Sequence, residues 1–198
     1  MTKLLFIDNY DSFANTIAAY FANAGADVTM LKSDSTMTAI YKQDKDIIVL
    51  GPGPNGPEEA GNYLEVIHVY NRNRPILGIC LGYQCLVNYF GGNVHPLNEP
   101  AHGVSALAEH DGKTIFEGLA SPMEVARYHS LGVYADEVPE KLEISATLGD
   151  IVMGIRHKSD PIEGIQFHPE SVLSNAQGMR LIQNALGYLK KRSGPGWL

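Results

Sequence analysis

Charged residues are scarce in this 198-residue sequence, and positively charged ones are the scarcer kind. Asp, Glu, Lys and Arg make up 19% of the chain and apolar types 44%, against a usual charged share of about 25%. Such a chain can bury a core, which excludes disorder for most of its length. Because the formal net charge is −7 and no long basic run occurs, we expect no nucleic acid partner.

Long apolar runs are missing as well. The longest, such as residues 47–50 and 76–81, have the length of a strand and fall far short of the roughly 20 residues that span a bilayer. The N-terminal segment reaches Asp8 after one short apolar run, so it lacks the parts of a secretory signal. We therefore expect a cytoplasmic protein with no membrane partner.

Only two cysteines occur, Cys80 and Cys85, and they lie in one short segment. This spacing provides neither a disulfide framework nor paired CxxC units for zinc. The histidines are scattered without the spacing of metal ligands. We expect neither a metal nor a cofactor in this chain.

The first half of the sequence alternates short apolar runs with segments of helical spacing. The runs lie at residues 4–7, 28–31, 47–50 and 75–81, and the helical patterns at 13–24, 63–70 and 84–90. Continuous apolar strands that alternate with helices are typical of a parallel sheet covered on both faces. The sequence therefore predicts an α/β fold with an open, mostly parallel sheet flanked by helices.

The second half favours additional antiparallel strands. Short apolar runs lie at residues 104–107, 114–116, 125–128, 142–146 and 151–155, the first two flanking a turn at Asp111 and Gly112. A strand at 162–167 and a helix at 177–190, with Ser174 or Asn175 as its cap, follow. We expect one domain over residues 1–192 and a flexible tail at 193–198.

Cys80 stands between Gly78 and Gly82, where an apolar run meets a helical pattern. This arrangement matches the nucleophile elbow, a tight strand-to-helix turn that projects its central side chain, with cysteine in place of serine. The start of the helix favours a thiolate, and the N–H of Leu81 is suited to face a developing oxyanion. Taken alone, Cys80 fits a small core residue equally well.

His168, Pro169 and Glu170 follow the last predicted strand, at the end where open α/β sheets place functional groups. In that position His168 can serve as the base for Cys80, while Glu170 holds the imidazole tautomer. The two motifs together indicate a cysteine nucleophile activated by a histidine and a glutamate.

These motifs, with Gln84 after the elbow, make the sequence resemble the class I, or triad-type, glutamine amidotransferases over about residues 4–189. Three further segments, 8–13, 51–57 and 127–131, are similar to the small glutaminase subunits of anthranilate synthase and aminodeoxychorismate synthase. The resemblance implies a class I glutamine amidotransferase-like fold and hydrolysis of L-glutamine.

The resemblance also implies roles for individual residues. Cys80 would be the nucleophile, His168 the base and Glu170 the orienting acid, with the N–H groups of Gly53 and Leu81 as the oxyanion hole. The residues implied to bind glutamine are Gly53, Pro54, Asn55, Gln84, Ser130 and Leu131. The sequence departs from many relatives at Tyr83, Asn55 and Val104, where they have histidine, glycine and lysine. We expect Tyr83 and Asn55 to flank the glutamine pocket.

A separate partner follows from the chemistry that the resemblance implies. Ammonia released into water at neutral pH becomes mostly ammonium and loses its lone pair, so it must pass directly to the enzyme that uses it. Since one α/β unit fills the chain, we expect a second protein, the chorismate-binding synthase component 1. A partner that makes anthranilate would serve tryptophan synthesis, and one that makes aminodeoxychorismate would serve folate synthesis.

Other functions are weighed against this one. Gly51, Gly53 and Gly56 satisfy the GxGxxG pattern of dinucleotide sites, but Pro52 and Pro54 lack the N–H groups that a pyrophosphate needs. A free-standing cysteine hydrolase acting on γ-glutamyl substrates is an alternative, and a non-catalytic regulatory subunit is another. The latter would carry a substitution in the triad, and none is present.

Overall fold

The computed structural model describes residues 1–193, which form nine strands and five α-helices. The strands are β1 (Thr2–Asp8), β2 (Ala26–Lys32), β3 (Ile47–Leu50), β4 (Ile76–Ile79), β5 (His95–His110), β6 (Met123–Gly132), β7 (Leu142–Leu148), β8 (Ile151–His157) and β9 (Ile162–Ile165). The helices are α1 (Ala14–Asn23), α2 (Met37–Tyr41), α3 (Tyr63–Tyr70), α4 (Leu81–Tyr89) and α5 (Asn175–Lys190).

The strands form one sheet in the order β2-β1-β3-β4-β9-β8-β7-β5-β6. From β2 to β9 every neighbouring pair is parallel, and from β9 onward every pair is antiparallel. The predicted α/β class, with parallel strands first and antiparallel strands in the second half, is confirmed. Of the predicted tail, only Ser193 lies within the described residues.

Two apolar cores lie on opposite faces of the sheet. Leu4 and Phe6 of β1 pack into the core that includes residues of α1 and α5, whereas Leu5 and Ile7 pack into the core that includes residues of α3 and α4. Alternate residues of a strand point to opposite faces, so a central strand covered on both sides must be apolar at every position. This is why β3 and β4, which are completely buried, contain no polar side chain. The equally buried β9 contains one, Glu163, which is paired with Arg156.

One predicted strand is wrong. Residues 114–116 form a short 3₁₀ turn, and β5 pairs with β6 instead. Thr114 has a φ of 52°, in the left-handed region where a strand cannot continue, and the N–H of Phe116 bonds to Lys113 O. Ile115 and Phe116 are buried all the same, which explains the apolar run. The short helix α2 was not predicted.

Ser174 precedes α5 as predicted, but its side chain does not cap the helix. Its hydroxyl donates to His168 O at 2.6 Å and accepts from the Ala126 N–H at 3.1 Å. The N–H of His168 in turn donates to Ala126 O at 3.0 Å. Ser174 therefore ties the segment that follows β9 to strand β6.

Arg156 on β8 organises a buried ionic cluster on the antiparallel side of the sheet. Its guanidinium donates to Glu163 on β9 at 2.9 Å, to Asp111 at 2.9 Å and to Glu143 on β7 at 2.8 Å. Glu163 is completely buried, and burial raises its pKa to about 7 although Arg156 opposes the shift. The cluster links three strands, including the one that leads to His168.

Within residues 1–193, no helix is long and apolar enough to cross a membrane. Nor do these residues contain a group of three or more His, Cys, Asp and Glu side chains that could hold a metal ion.

Arg156→Met should lower the free energy of unfolding by about 3–5 kcal/mol, because it leaves the Glu163 carboxyl buried without its cation. The double variant Arg156→Met/Glu163→Met removes both buried charges and should recover most of the loss. Urea unfolding of the two variants measures the difference. A double variant as unstable as the single one would show that the buried charge is not the cause.

Candidate active site

Cys80 occupies a strained turn between β4 and α4. Its backbone has a φ of 54° and a ψ of −103°, a conformation that costs a non-glycine residue about 1–3 kcal/mol. The turn is tight enough that a Cβ on Gly78 would lie 2.6 Å from the backbone of Gly82, and one on Gly82 would lie 2.1 Å from Leu50 O. Glycine at both positions allows α4 to start directly above the ends of β3 and β4.

The turn places Cys80 beside the segment that follows β9. The Cys80 N–H donates to Ile165 O at 2.8 Å, which continues the pairing of β4 with β9. Three residues further on, the His168 side chain lies close enough to Cys80 for the two to interact electrostatically. His168 Nδ1 donates to Glu170 Oε1 at 2.7 Å. The sheet thus brings together the cysteine, histidine and glutamate that are distant in sequence.

His168 and Glu170 are almost completely buried, with residue exposures of 2% and 3%. Burial alone would lower the pKa of His168, but its interactions with Cys80 and Glu170 outweigh that effect and raise the pKa to about 10. The imidazole is therefore positively charged at neutral pH. A thiolate next to it is stabilised in the way that reactive cysteines require.

Two aromatic rings hold the imidazole in place. The Phe13 ring centroid lies 5.3 Å from that of His168, and the Tyr128 centroid lies 5.2 Å away, both edge-on. The Tyr128 hydroxyl is also within 3.3 Å of Ser171 Oγ. This packing, with the Ser174 bridge to β6, restricts the ring to one orientation.

A pocket of about 150 Å³ opens at Cys80. It is smaller than the 300–1,000 Å³ of sites for drug-sized ligands, which suits a small metabolite. Its lining contains Gly53, Pro54, Asn55, Cys80, Gln84, Tyr128, His129, Ser130 and Leu131. All six residues expected to bind glutamine are in this set. Leu81 is not, but it is the first residue of α4, where a backbone N–H has no acceptor within the helix.

The pocket wall at Ser130 is formed by an interruption in the sheet. In the pairing of β5 with β6, His129 lies opposite Ala101 and Leu131 opposite Pro96. Four residues of β5 therefore form a bulge opposite Ser130, which has no partner in the register. This opening makes room for a ligand beside the strand.

His129 lines the pocket but was not among the predicted site residues. Its Nδ1 lies 2.8 Å from Leu131 O, and because a carbonyl can only accept, Nδ1 carries the proton. Nε2 accepts from Arg127 Nε at 3.2 Å. Burial lowers the pKa of His129 to about 4, although its bond to Leu131 opposes the shift. His129 is thus a neutral hydrogen-bonding group.

Gln166 is a second residue at the site that was not predicted from the sequence. It is completely buried, and its Nε2 lies 3.6 Å from Cys80 Sγ. A polar residue inside the apolar run 162–167 was the available signal, since a buried amide needs hydrogen-bond partners.

The departures from the family pattern have different structural outcomes. The expectation that Tyr83 flanks the pocket is wrong, because its ring is completely buried in the core and its hydroxyl donates to Val152 O at 2.9 Å. Asn55 does line the pocket, with a φ of 66°, a conformation that glycine and asparagine tolerate best. Val104 is exposed on β5, and nothing in the structure explains the substitution.

A cysteine at a strand-to-helix elbow, next to a buried histidine and glutamate, defines an enzyme class in which a thiolate attacks an acyl group. The comparisons with known proteins identify the family. The model of the glutamine amidotransferase class-I family matches residues 5–187. The chain belongs to the class I glutamine amidotransferases.

Individual relatives cover nearly the whole chain. It is 43% identical to anthranilate synthase component 2 of Methanocaldococcus jannaschii, over 92% of this chain and 95% of the relative. It is 44% identical to aminodeoxychorismate synthase component 2 of Escherichia coli, over 92% and 98%. Identity to aminodeoxychorismate/anthranilate synthase component 2 of Bacillus subtilis is 40%, over 95% and 97%.

Among solved structures, the fold is similar to that of a putative GMP synthase subunit from Thermoplasma acidophilum. The TM-score is 0.85 at 26% identity, and the match covers 96% of this chain and 95% of that chain. This likeness agrees with the class I glutamine amidotransferase fold expected from the sequence.

Glu170→Gln should lower the pKa of the His168 imidazole from about 10, because it removes the negative charge that stabilises the imidazolium. Titration of the imidazole signals by NMR measures the change. The His168 signal is identified as the one that is missing from the spectrum of His168→Gln. Glu143→Gln, which removes a carboxylate paired with Arg156, is the control and should leave the titration unchanged. An unaltered His168 titration in Glu170→Gln would contradict the assigned contact.

Proposed function

We propose that this chain is the glutaminase subunit of a chorismate-using synthase. It hydrolyses L-glutamine with Cys80, His168 and Glu170 and delivers ammonia to a separate component 1. The observation that carries the proposal is the small pocket that opens at the Cys80 elbow, beside a buried His168 whose Nδ1 donates to Glu170 at 2.7 Å. The names of the relatives, component 2 of anthranilate or aminodeoxychorismate synthases, support the assignment of the partner.

Glutamine binding uses the pocket described above. Both hydrogens of Gln84 Nε2 are engaged by Leu131 O and Gln166 Oε1, so Gln84 retains its carbonyl oxygen as an acceptor for the amino group of glutamine. At the interrupted edge of the sheet, the backbone of Ser130 and Leu131 can form hydrogen bonds with glutamine. The small volume holds the side-chain amide close to Cys80.

The first step forms a thioester. The Cys80 thiolate attacks the side-chain amide carbon, and the oxyanion that develops is stabilised by the N–H groups of Gly53 and Leu81. The protonated His168 gives its proton to the departing nitrogen as the C–N bond breaks, which releases ammonia. Glu170 keeps the imidazole in the orientation that this transfer requires.

The second step regenerates the enzyme. His168, now neutral, takes a proton from water as the water oxygen attacks the thioester carbon. The C–S bond breaks, glutamate leaves and Cys80 returns to the thiolate. Glutamine and water are thus converted into glutamate and ammonia, and His168 is again protonated.

Cys80→Ala should abolish synthesis of the aminated product from glutamine, while the complex with its synthase continues to work with added ammonium salt. Only the source of ammonia is lost, because the synthase chemistry resides in the partner. Steady-state assays with glutamine and with ammonia measure both activities. Cys85→Ala is the matched control and should keep both, since Cys85 is buried on the face of α4 that packs into the core. Glutamine turnover retained by Cys80→Ala would overturn the proposal.

Purification of the chain from its native cells should recover a second protein that converts chorismate to an aminated product. Mass spectrometry identifies that protein, and product analysis distinguishes anthranilate from aminodeoxychorismate. The chain alone should form neither product. A chain that works without a partner and releases amino acids from γ-glutamyl peptides would instead be a free-standing hydrolase.

A further inference from the structure

A chain of amide hydrogen bonds runs from the glutamine pocket to the nucleophile. Gln84 Nε2 donates to Leu131 O at 3.3 Å and to Gln166 Oε1 at 3.0 Å. Gln166 Nε2 then reaches Cys80 Sγ at 3.6 Å. Gln84 and Gln166 are both buried, with exposures of 3% and 0%. The mechanism described above uses Gln84 but gives Gln166 no role.

The orientation of each amide in this chain follows from one backbone carbonyl. Leu131 O can only accept, so the end of Gln84 that faces it must be the nitrogen. The same nitrogen faces Gln166, which must therefore present its oxygen to Gln84. This leaves the Gln166 N–H group directed at the sulfur. The opposite orientation of Gln166 would place its amide nitrogen against that of Gln84, so that two donors face each other and the hydrogen bond between the two amides is lost, which is costly in a buried site.

The two histidines of the site, His168 and His129, differ from Gln166 in their charge or in their hydrogen-bond partner. His168, in the segment after β9, carries a positive charge balanced by Glu170 behind it. His129 on β6 is neutral and donates to the same Leu131 O as Gln84. Gln166 is thus the neutral donor at the sulfur, and its amide does not itself titrate.

We propose that Gln166 is a catalytic residue whose side-chain N–H stabilises the Cys80 thiolate. The inference rests on the proposed function, in which Cys80 is the nucleophile. A donor at the sulfur increases the fraction of Cys80 present as thiolate in the resting enzyme. The same hydrogen bond reduces the nucleophilicity of the thiolate, but by less than it increases the thiolate fraction. It also assists the departure of sulfur when water opens the thioester.

Two variants without a donor test this role, Gln166→Met and Gln166→Leu. The measurement is the pH dependence of Cys80 alkylation by iodoacetamide, with fragmentation of the labelled peptide to separate Cys80 from Cys85. Both variants should move the midpoint to higher pH by about one unit, and below the midpoint the rate should fall about tenfold. A packing role predicts instead a small effect for methionine, which matches glutamine in length, and a large one for leucine.

Tyr83→Phe is the matched control, because it removes another buried hydrogen bond of α4 that does not reach the sulfur. Its alkylation profile should coincide with that of the wild-type protein. Circular dichroism spectra and urea unfolding midpoints of each variant, compared with those of the wild-type protein, verify that the variants are folded.

The proposal is overturned if the Gln166→Met profile coincides with wild type, or if Tyr83→Phe shifts it equally. If Gln166→Leu does not fold, Gln166→Met alone decides, because methionine matches glutamine in length; if only Gln166→Leu folds, an unshifted profile overturns the proposal. Failure of the proposed function is distinguishable, since it would appear as glutamine turnover retained by Cys80→Ala. Failure of this inference alone would leave Cys80→Ala inactive and the Gln166 profiles unshifted.

Discussion

The whole site depends on the sharp turn of the backbone at Cys80. A cysteine with a φ of 54° is unfavourable in isolation, and it persists because the surrounding elements leave no alternative. On one side its N–H is bonded to Ile165 O, and on the other its carbonyl accepts the first hydrogen bond of α4, from Gln84 N–H. The close approach of Gly82 to Leu50 O secures the helix above the sheet. The turn is therefore held by backbone contacts, which leave the cysteine side chain available for chemistry.

The electrostatic design of the site follows from its burial. A buried charge is costly unless it is paired, and here the imidazolium of His168 lies between Cys80 and Glu170. The other nearby groups, His129 and the two glutamines, are neutral and act through hydrogen bonds. The charged pair His168 and Glu170 thus lies beside Cys80, while neutral groups line the pocket. Elsewhere in the sheet, the buried charge of Glu163 on β9 is likewise paired, with Arg156.

Much of this architecture could be predicted because the local signals agreed with the tertiary structure. The predicted bounds of β3 and α3 match those observed, since apolar periodicity was bounded by glycine, proline and polar segments. The strand predicted at residues 114–116 was wrong because the buried apolar residues of this 3₁₀ turn have the composition of a short strand. The parallel order of β4 and β9, which joins the two halves of the site, follows from long-range pairing that no local pattern encodes.

Prediction at the site was limited in a different way. Cys80, His168 and Glu170 stand in motifs whose residue types indicate their chemistry, whereas the residue types of His129, in β6, and Gln166, just after β9, do not indicate which groups they contact. Their roles depend on which backbone carbonyl they face, and that depends on the bulge of β5 and the position of α4. The same dependence applies to Tyr83, because the orientation of α4 decides which of its side chains face the pocket. Tyr83 faces the core, whereas its neighbour Gln84 lines the pocket.

The central claim, that Cys80 is the nucleophile for the side-chain carbonyl of glutamine, can be tested directly by covalent trapping. A glutamine analogue with a chloromethyl ketone in place of the side-chain amide should label the protein once, at Cys80, and excess glutamine should protect it. Peptide fragmentation separates this position from Cys85. Label on Cys85, or undiminished labelling of Cys80→Ala, would contradict the account.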